Sequence, residues 1–184
     1  MSKCVFVTVG STQFDALIET VCTRSLLECL SNLGFGHVII QFGKGQFVPP
    51  STKESEAVVS QINGCKLRID SYRYKDSILN DYKTADLIIS HAGAGTCSEV
   101  LAVGKPLVVV VNETLHDNHQ FELAQQLSAD GHLYYCIPST LQHTLETKLC
   151  NTWPPPLVPF EPGKPEIFAD WLISTLGLRN FGAN

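Results

Sequence analysis

The chain has 184 residues, 44% of them hydrophobic and 17% charged, with a formal net charge of -5 at pH 7. That length suits one domain with a sizeable buried core, and the composition excludes a disordered chain. The basic residues are scattered and form no cationic stripe along which a phosphate backbone could lie, so nucleic acid is set aside as a partner. The first apolar run is too short for a signal-peptide core, and PLVVVV, the longest later one, falls far below the ~20 residues that span a bilayer. A cytosolic chain is the expectation. Seven cysteines without a C-x-x-C pair are expected to be reduced, mostly buried thiols.

Apolar runs recur with helical segments between them, the rhythm of a buried parallel sheet in an α/β fold with helices on both faces. Strands are predicted over 4–9, 37–41, 65–70, 86–90, 107–111 and 133–136. Helices are predicted over 14–32, 75–83, 96–103, 118–129 and 139–149, each with apolar residues three and four apart. GKGQFVPPSTKESEAVVSQING reads as an exposed loop or short excursion. NTWPPPLVPFEPGKP reads as a proline-rich connector that cannot be helical. Behind it, PEIFADWLISTLGL places Ile167, Phe168, Trp171, Leu172, Thr175 and Leu176 on one face of an amphipathic helix. The organisation is therefore a Rossmann-like domain over 1–152, followed over 153–184 by a connector and a helix that packs on the same domain or on a partner.

The chemistry concentrates in ADLIISHAGAGTCSEVLAVGKPLVVVVNE. In an open parallel sheet, ligands bind outside the carboxyl ends of the strands, where glycine-rich turns lead into helices. Gly93 and Gly95 would let backbone N–H groups approach a phosphate or diphosphate. A helix starting near Thr96 would aim its positive end at that anion, and the Thr96 hydroxyl adds a donor. Glu99, one turn deeper, is within reach of a ribose on the diphosphate. The plain alternative is a packing turn in which Thr96 and Glu99 form a capping box. His91 at the strand end favours the ligand reading. Cys97 has no cationic neighbour in sequence and reads as a packing residue.

Two further loops fall at strand ends. VTVGSTQF offers Gly10, Ser11 and Thr12 either as a second phosphate edge or as an ordinary capped turn. NETLHDNHQFELA groups Asp117, Asn118, His119 and Gln120, the donors and acceptors that a hydroxyl-rich ligand requires, or else a solvated helix start. His116 and His119 lack a third ligand, so no metal is expected. Asp-x-Asp, G-x-x-x-x-G-K-[ST] and G-x-S-x-G are absent, and VGSTQF replaces the G-x-G-x-x-G of a dinucleotide enzyme.

SHAGAGTCSE, then GKP, then DNHQ resembles the nucleotide-sugar signature of the MurG-like family 28 glycosyltransferases, which have two Rossmann-like domains (the GT-B arrangement). With CVFVTVGST and YRYKDS added, the chain resembles more closely the small cytosolic catalytic subunits of the eukaryotic enzyme that adds the second N-acetylglucosamine to dolichol-diphosphate-linked N-acetylglucosamine. The similarity runs from about residue 3 to residue 136. It implies the C-terminal, nucleotide-sugar half of such an enzyme. His91, Gly93, Gly95 and Thr96 would contact the diphosphate of UDP, Glu99 the ribose, the backbone around Tyr74 the uracil, and Asn118, His119 and Gln120 the sugar hydroxyls. Gly10 and Thr12 would close the other side of the phosphates. His119 stands where glutamine is usual in the family.

The resemblance further implies an inverting, metal-independent transfer of N-acetylglucosamine from UDP-N-acetylglucosamine without a cofactor. A membrane-anchored, acceptor-binding subunit at the cytosolic face of the endoplasmic reticulum would supply the base, so no catalytic residue is expected in this chain, His91 being the lesser candidate. A non-catalytic nucleotide-sugar-binding regulator and a self-sufficient transferase acting on a soluble acceptor are the alternatives.

Overall fold

The computed structural model describes residues 2–50, 61–62, 65–114, 119–161, 163 and 165–176. In chain order the elements are β1 (Lys3–Thr8), α1 (Asp15–Val21), α2 (Arg24–Asn32), β2 (Phe35–Gln41), β3 (Gln61–Ile62), β4 (Cys65–Lys66), β5 (Arg68–Tyr72), α3 (Leu79–Thr84), β6 (Leu87–His91), α4 (Ala94–Ala102), β7 (Leu107–Val110), α5 (His119–Ala129), β8 (Tyr134–Cys136), a 3-10 turn (Pro138–Thr140), α6 (Leu141–Leu149) and α7 (Pro165–Leu176). The main sheet has the order β5-β2-β1-β6-β7-β8, and every neighbouring pair is parallel. The order reverses at β1, whose two neighbours lie on opposite sides.

Parallel strands connected by helices are covered on both faces, which is why β6 and β7 read as unbroken apolar runs and are wholly buried. Val5, Val7, Ile40, Ile89 and Val108 face α1, α2 and α6 through Leu17, Ile18, Leu26, Leu30, Leu141 and Leu145. Phe6, Ile88 and Val109 face α3, α4 and α5 through Tyr82, Val100, Leu101 and Ala124. The expected α/β architecture is the observed one.

Several boundaries differ from the sequence-based expectation. The helix over 14–32 is two helices, because Thr23 turns extended (ψ 145°) and its hydroxyl accepts from the Leu26 amide at 3.4 Å, capping α2. The strand over 65–70 breaks at Leu67; β4 pairs with β3 in a separate antiparallel ribbon, and β5 joins the main sheet. The helix over 75–83 starts only at Leu79, because Lys75 is drawn to Asp81 at 3.0 Å and lies 3.9 Å from the centre of the Tyr72 ring. The turn at Pro138–Thr140 precedes α6 where one helix over 139–149 is expected.

The connector is seated rather than loose. Trp153 meets Phe35 edge-on at 5.3 Å, and the Val158 amide donates to the Gly131 carbonyl at 2.9 Å. α7 forms as expected, with Trp171 58% exposed and Thr175 exposed. The side chains of Ile167, Phe168, Leu172 and Leu176 lie outside the described residues.

At the carboxyl ends of β1, β2 and β5 sits a buried polar knot. Thr8 is fully buried and Gln41 2% exposed. The Thr8 hydroxyl donates to Gln41 Oε1 at 2.5 Å and accepts from the Gly10 amide at 3.1 Å. Gln41 Nε2 donates to the carbonyls of Gly10 at 2.7 Å and Arg73 at 2.8 Å. Gln41→Leu would keep the volume and strand the buried Thr8 hydroxyl and two partly buried carbonyls, so urea denaturation should show a loss of about 2 kcal/mol. An unchanged midpoint and slope would show that the knot does not hold the strand ends.

Candidate functional site

The reversal of strand order opens a crevice between the carboxyl ends of β1 and β6. Gly10, at φ +60°, brings the β1 loop over it; a Cβ there would lie 3.0 Å from His91 Cε1 and 3.7 Å from Thr96 Oγ1. The two glycines after His91 are bare for different reasons. A Cβ on Gly93 would run into the His91 imidazole, whereas one on Gly95 would meet nothing within 4 Å. Gly93 therefore seats the histidine, and Gly95 leaves backbone exposed to open space.

α4 starts at Ala94, two residues earlier than expected, with Gly93 as an N-cap that has no side chain to offer. Its first internal bond runs from the Cys97 amide to the Gly93 carbonyl at 2.9 Å, which leaves the amides of Ala94, Gly95 and Thr96 without an intrahelical acceptor. The capping-box reading of Thr96 and Glu99 fails, since Thr96 is the third helical residue and Glu99 the sixth. Glu99 is exposed and lines the crevice.

His91 is 8% exposed and its Nδ1 has no hydrogen-bond partner. Burial lowers its pKa below the ordinary histidine value, the Thr8 carbonyl partly opposing this. The imidazole is therefore neutral at pH 7, a hydrogen-bonding group and not a fixed cation. Cys97 is 1% exposed and its thiol is pushed up to about 11 by burial, in keeping with a packing role.

The crevice deepens into a cavity of about 500 Å³ whose walls include Gly10, Ser11, Tyr74, Ile78, Tyr82 and Glu99. Hollows of about 590 Å³ beside β8 and about 400 Å³ against Trp153 lie away from this switch point. Thr12 is turned from the cavity: its hydroxyl donates to the Val9 carbonyl at 2.9 Å and its carbonyl accepts from the Lys44 amide at 2.9 Å, so Ser11 takes the wall position. Gln120 is half-buried in the first turn of α5. Asn118 and the His119 side chain lie outside the described residues. Among the described residues no group of three His, Cys, Asp or Glu side chains could hold a metal ion.

Four supporting residues escape the sequence reading. Thr8 and Gln41 tie the strand ends, Arg73 donates to the carbonyls of Gly43 and Gly45 at 2.7 and 2.9 Å, and Tyr82 floors the cavity. A signal exists for the first two, because each is the polar residue that ends an apolar strand, VFVT and VIIQ.

The model of the glycosyltransferase family 28 C-terminal domain matches residues 4–153. The UDP-N-acetylglucosamine transferase subunit ALG13 of Homo sapiens is 52% identical over 135 residues, which cover 73% of this chain and 11% of that protein. The subunit of the same name from Saccharomyces cerevisiae is 32% identical over 161 residues, 74% of this chain and 79% of its own length. The chain thus spans about a tenth of the human relative and most of the yeast one. The solution structure of ALG13 superposes with a TM-score of 0.63 at 26% identity, covering 96% of this chain and 98% of that one. The crystal structure of MurG from Acinetobacter baumannii superposes with a TM-score of 0.61 at 27% identity, over 82% of this chain and 42% of that one. By the extent of the family match, and with the uncapped helix facing Gly10 across the switch point, the chain belongs to glycosyltransferase family 28, as its C-terminal domain.

Proposed function

We propose that this chain binds UDP-N-acetylglucosamine in the crevice between β1 and β6 and serves as the donor-binding, catalytic subunit of a transferase whose acceptor is dolichol-diphosphate-N-acetylglucosamine. The observation that carries the reading is the open N-terminus of α4, three unpaired amides beside Gly10 and His91, in a chain of this family. Relatives named as UDP-N-acetylglucosamine transferase subunits supply the donor and the idea of a partner.

The diphosphate sits on the amides of Ala94, Gly95 and Thr96, where the helix dipole and the backbone donors meet an anion without a lysine or arginine. Glu99 accepts the ribose hydroxyls, and the loop at Tyr74 covers the uracil. Neutral His91 donates to or accepts from a phosphate oxygen, and Gln120, with Asn118 and His119, faces the sugar. As the anomeric bond breaks, negative charge grows on the departing UDP, and the same amides stabilise it more strongly than in the ground state. Metal independence follows from that arrangement. The acceptor O4 attacks from the opposite side with inversion, its proton taken by a base on the partner.

The partner is a membrane-anchored, acceptor-binding subunit at the cytosolic face of the endoplasmic reticulum. Among the described residues no helix is long and apolar enough to cross a membrane. α7, with Trp171 58% exposed, is the proposed docking helix.

With radiolabelled UDP-N-acetylglucosamine, lipid-linked product should form only when membranes carrying partner and acceptor are added, and EDTA should leave the yield unchanged. Turnover on a soluble acceptor without membranes, or an activity lost to chelator and restored by Mg²⁺, would count against this reading. Glu99→Gln retains the shape of the side chain and loses its charge, so calorimetry should show UDP binding weakened by about 1.5–3 kcal/mol. Unchanged binding in the folded variant would remove Glu99 from the ribose site.

A further inference from the structure

Tyr82 lines the cavity with a buried hydroxyl that no well-formed hydrogen bond engages. It lies on α3, is 1% exposed, and its ring meets Phe6 edge-on at 5.7 Å, which fixes it within the core. Its hydroxyl is buried and makes no hydrogen bond of good geometry, although the Glu99 carboxylate and the Thr96 hydroxyl both lie beside it. Both belong to the proposed donor site. A neighbouring tyrosine shows what a satisfied phenol looks like in this fold: Tyr72 donates to Asp81 Oδ2 at 2.5 Å. A buried hydroxyl without a partner costs free energy, and phenylalanine would pack against Phe6 equally well. The group is explained if a ligand completes its geometry.

We propose that Tyr82 is a positioning residue for the ribose of the nucleotide, its hydroxyl donating to the inner oxygen of the Glu99 carboxylate so that the outer oxygen is held toward the ribose hydroxyls. The inference rests on the donor-site reading and adds to it a residue that does not touch substrate. Three features suit the role. The ring is held by the core while Glu99 is exposed and rotatable, so the rigid group can orient the mobile one. The phenol has a single proton to donate, and burial, followed by the charge of Glu99, pushes its pKa up to about 12, so that proton is present throughout the physiological range. Finally, a hydrogen bond to a carboxylate is stronger than one between neutral groups, and stronger again away from bulk water.

The test uses the full chain with UDP and with 2′,3′-dideoxy-UDP, which keeps the base and diphosphate and lacks both ribose hydroxyls. Tyr82→Phe should leave the thermal transition of the free protein nearly unchanged, since the lost hydroxyl makes no well-formed hydrogen bond there. It should weaken UDP binding about tenfold and leave dideoxy-UDP binding nearly unchanged. Combined with Glu99→Gln, it should add little to the loss caused by the glutamine alone, because both act through one carboxylate. Equal weakening for both nucleotides, unchanged UDP binding in Tyr82→Phe, or fully additive losses would each overturn the assignment of Tyr82 while leaving the donor site in place. A wild-type chain that binds neither nucleotide overturns the donor-site reading and this inference with it.

Discussion

Everything at the site hangs on the side chain of Gln41. It crosses from the end of β2 to the end of β1 and, at 2.7 and 2.8 Å, holds the Gly10 and Arg73 carbonyls in place, so three strands end in register. Burying polar groups this deeply costs free energy unless they are hydrogen-bonded, and bonds of this kind define one arrangement sharply. The left-handed turn at Gly10, its approach to His91, and the position of α4 relative to the β1 loop follow from that arrangement. A further clamp, Arg73 on the carbonyls of Gly43 and Gly45, with its guanidinium 4.7 Å from the centre of the Phe42 ring, fixes the next loop outward.

The electrostatics of the crevice rest on dipoles. His91 is buried and neutral, and Lys75, whose loop lines the cavity, is already committed to Asp81 at 3.0 Å. An anion there is met by amides whose orientation is fixed before it arrives. In the proposed donor site such an arrangement would cost little reorganisation as charge develops, and it would hold a phosphate less strongly than a cluster of arginines, as a departing product requires. The chain's overall charge of -5 would otherwise oppose an anionic ligand, so the local donors have to act at short range.

Much of this is legible in the sequence because its signals are local. Unbroken apolar runs mark buried parallel strands, and HAGAGT marks the turn into α4. What escapes is non-local. Nothing near Thr23 in the sequence says that the expected long helix must break there, since the periodicity of its apolar residues continues through the cap. Lys75 reads as the start of a helix until Asp81 and Tyr72 are known to be beside it. Thr8 and Gln41 stand out as polar strand ends and Tyr82 looks like an ordinary helix residue, but only the fold brings the first two within 2.5 Å of each other or places Tyr82 in one cavity with Glu99. Thr12 stands at the expected strand end, and its hydroxyl is spent on its own turn, donating to the Val9 carbonyl.

The different surroundings of Gly93 and Gly95 separate two demands that a glycine-rich motif usually merges. At Gly93 any side chain collides with a core histidine, so the residue answers to folding whatever the site binds. At Gly95 there is open space on a helix whose conformation alanine prefers by roughly 0.8–1 kcal/mol, so folding alone would favour replacement. A library varied at both positions and sorted only for folded protein would therefore recover Gly93 and drift away from Gly95. If the proposed donor site is right, sorting the same library for retention of UDP would restore glycine at both. In the proposed site, Gly95 is where the demands of stability and of ligand pull in opposite directions.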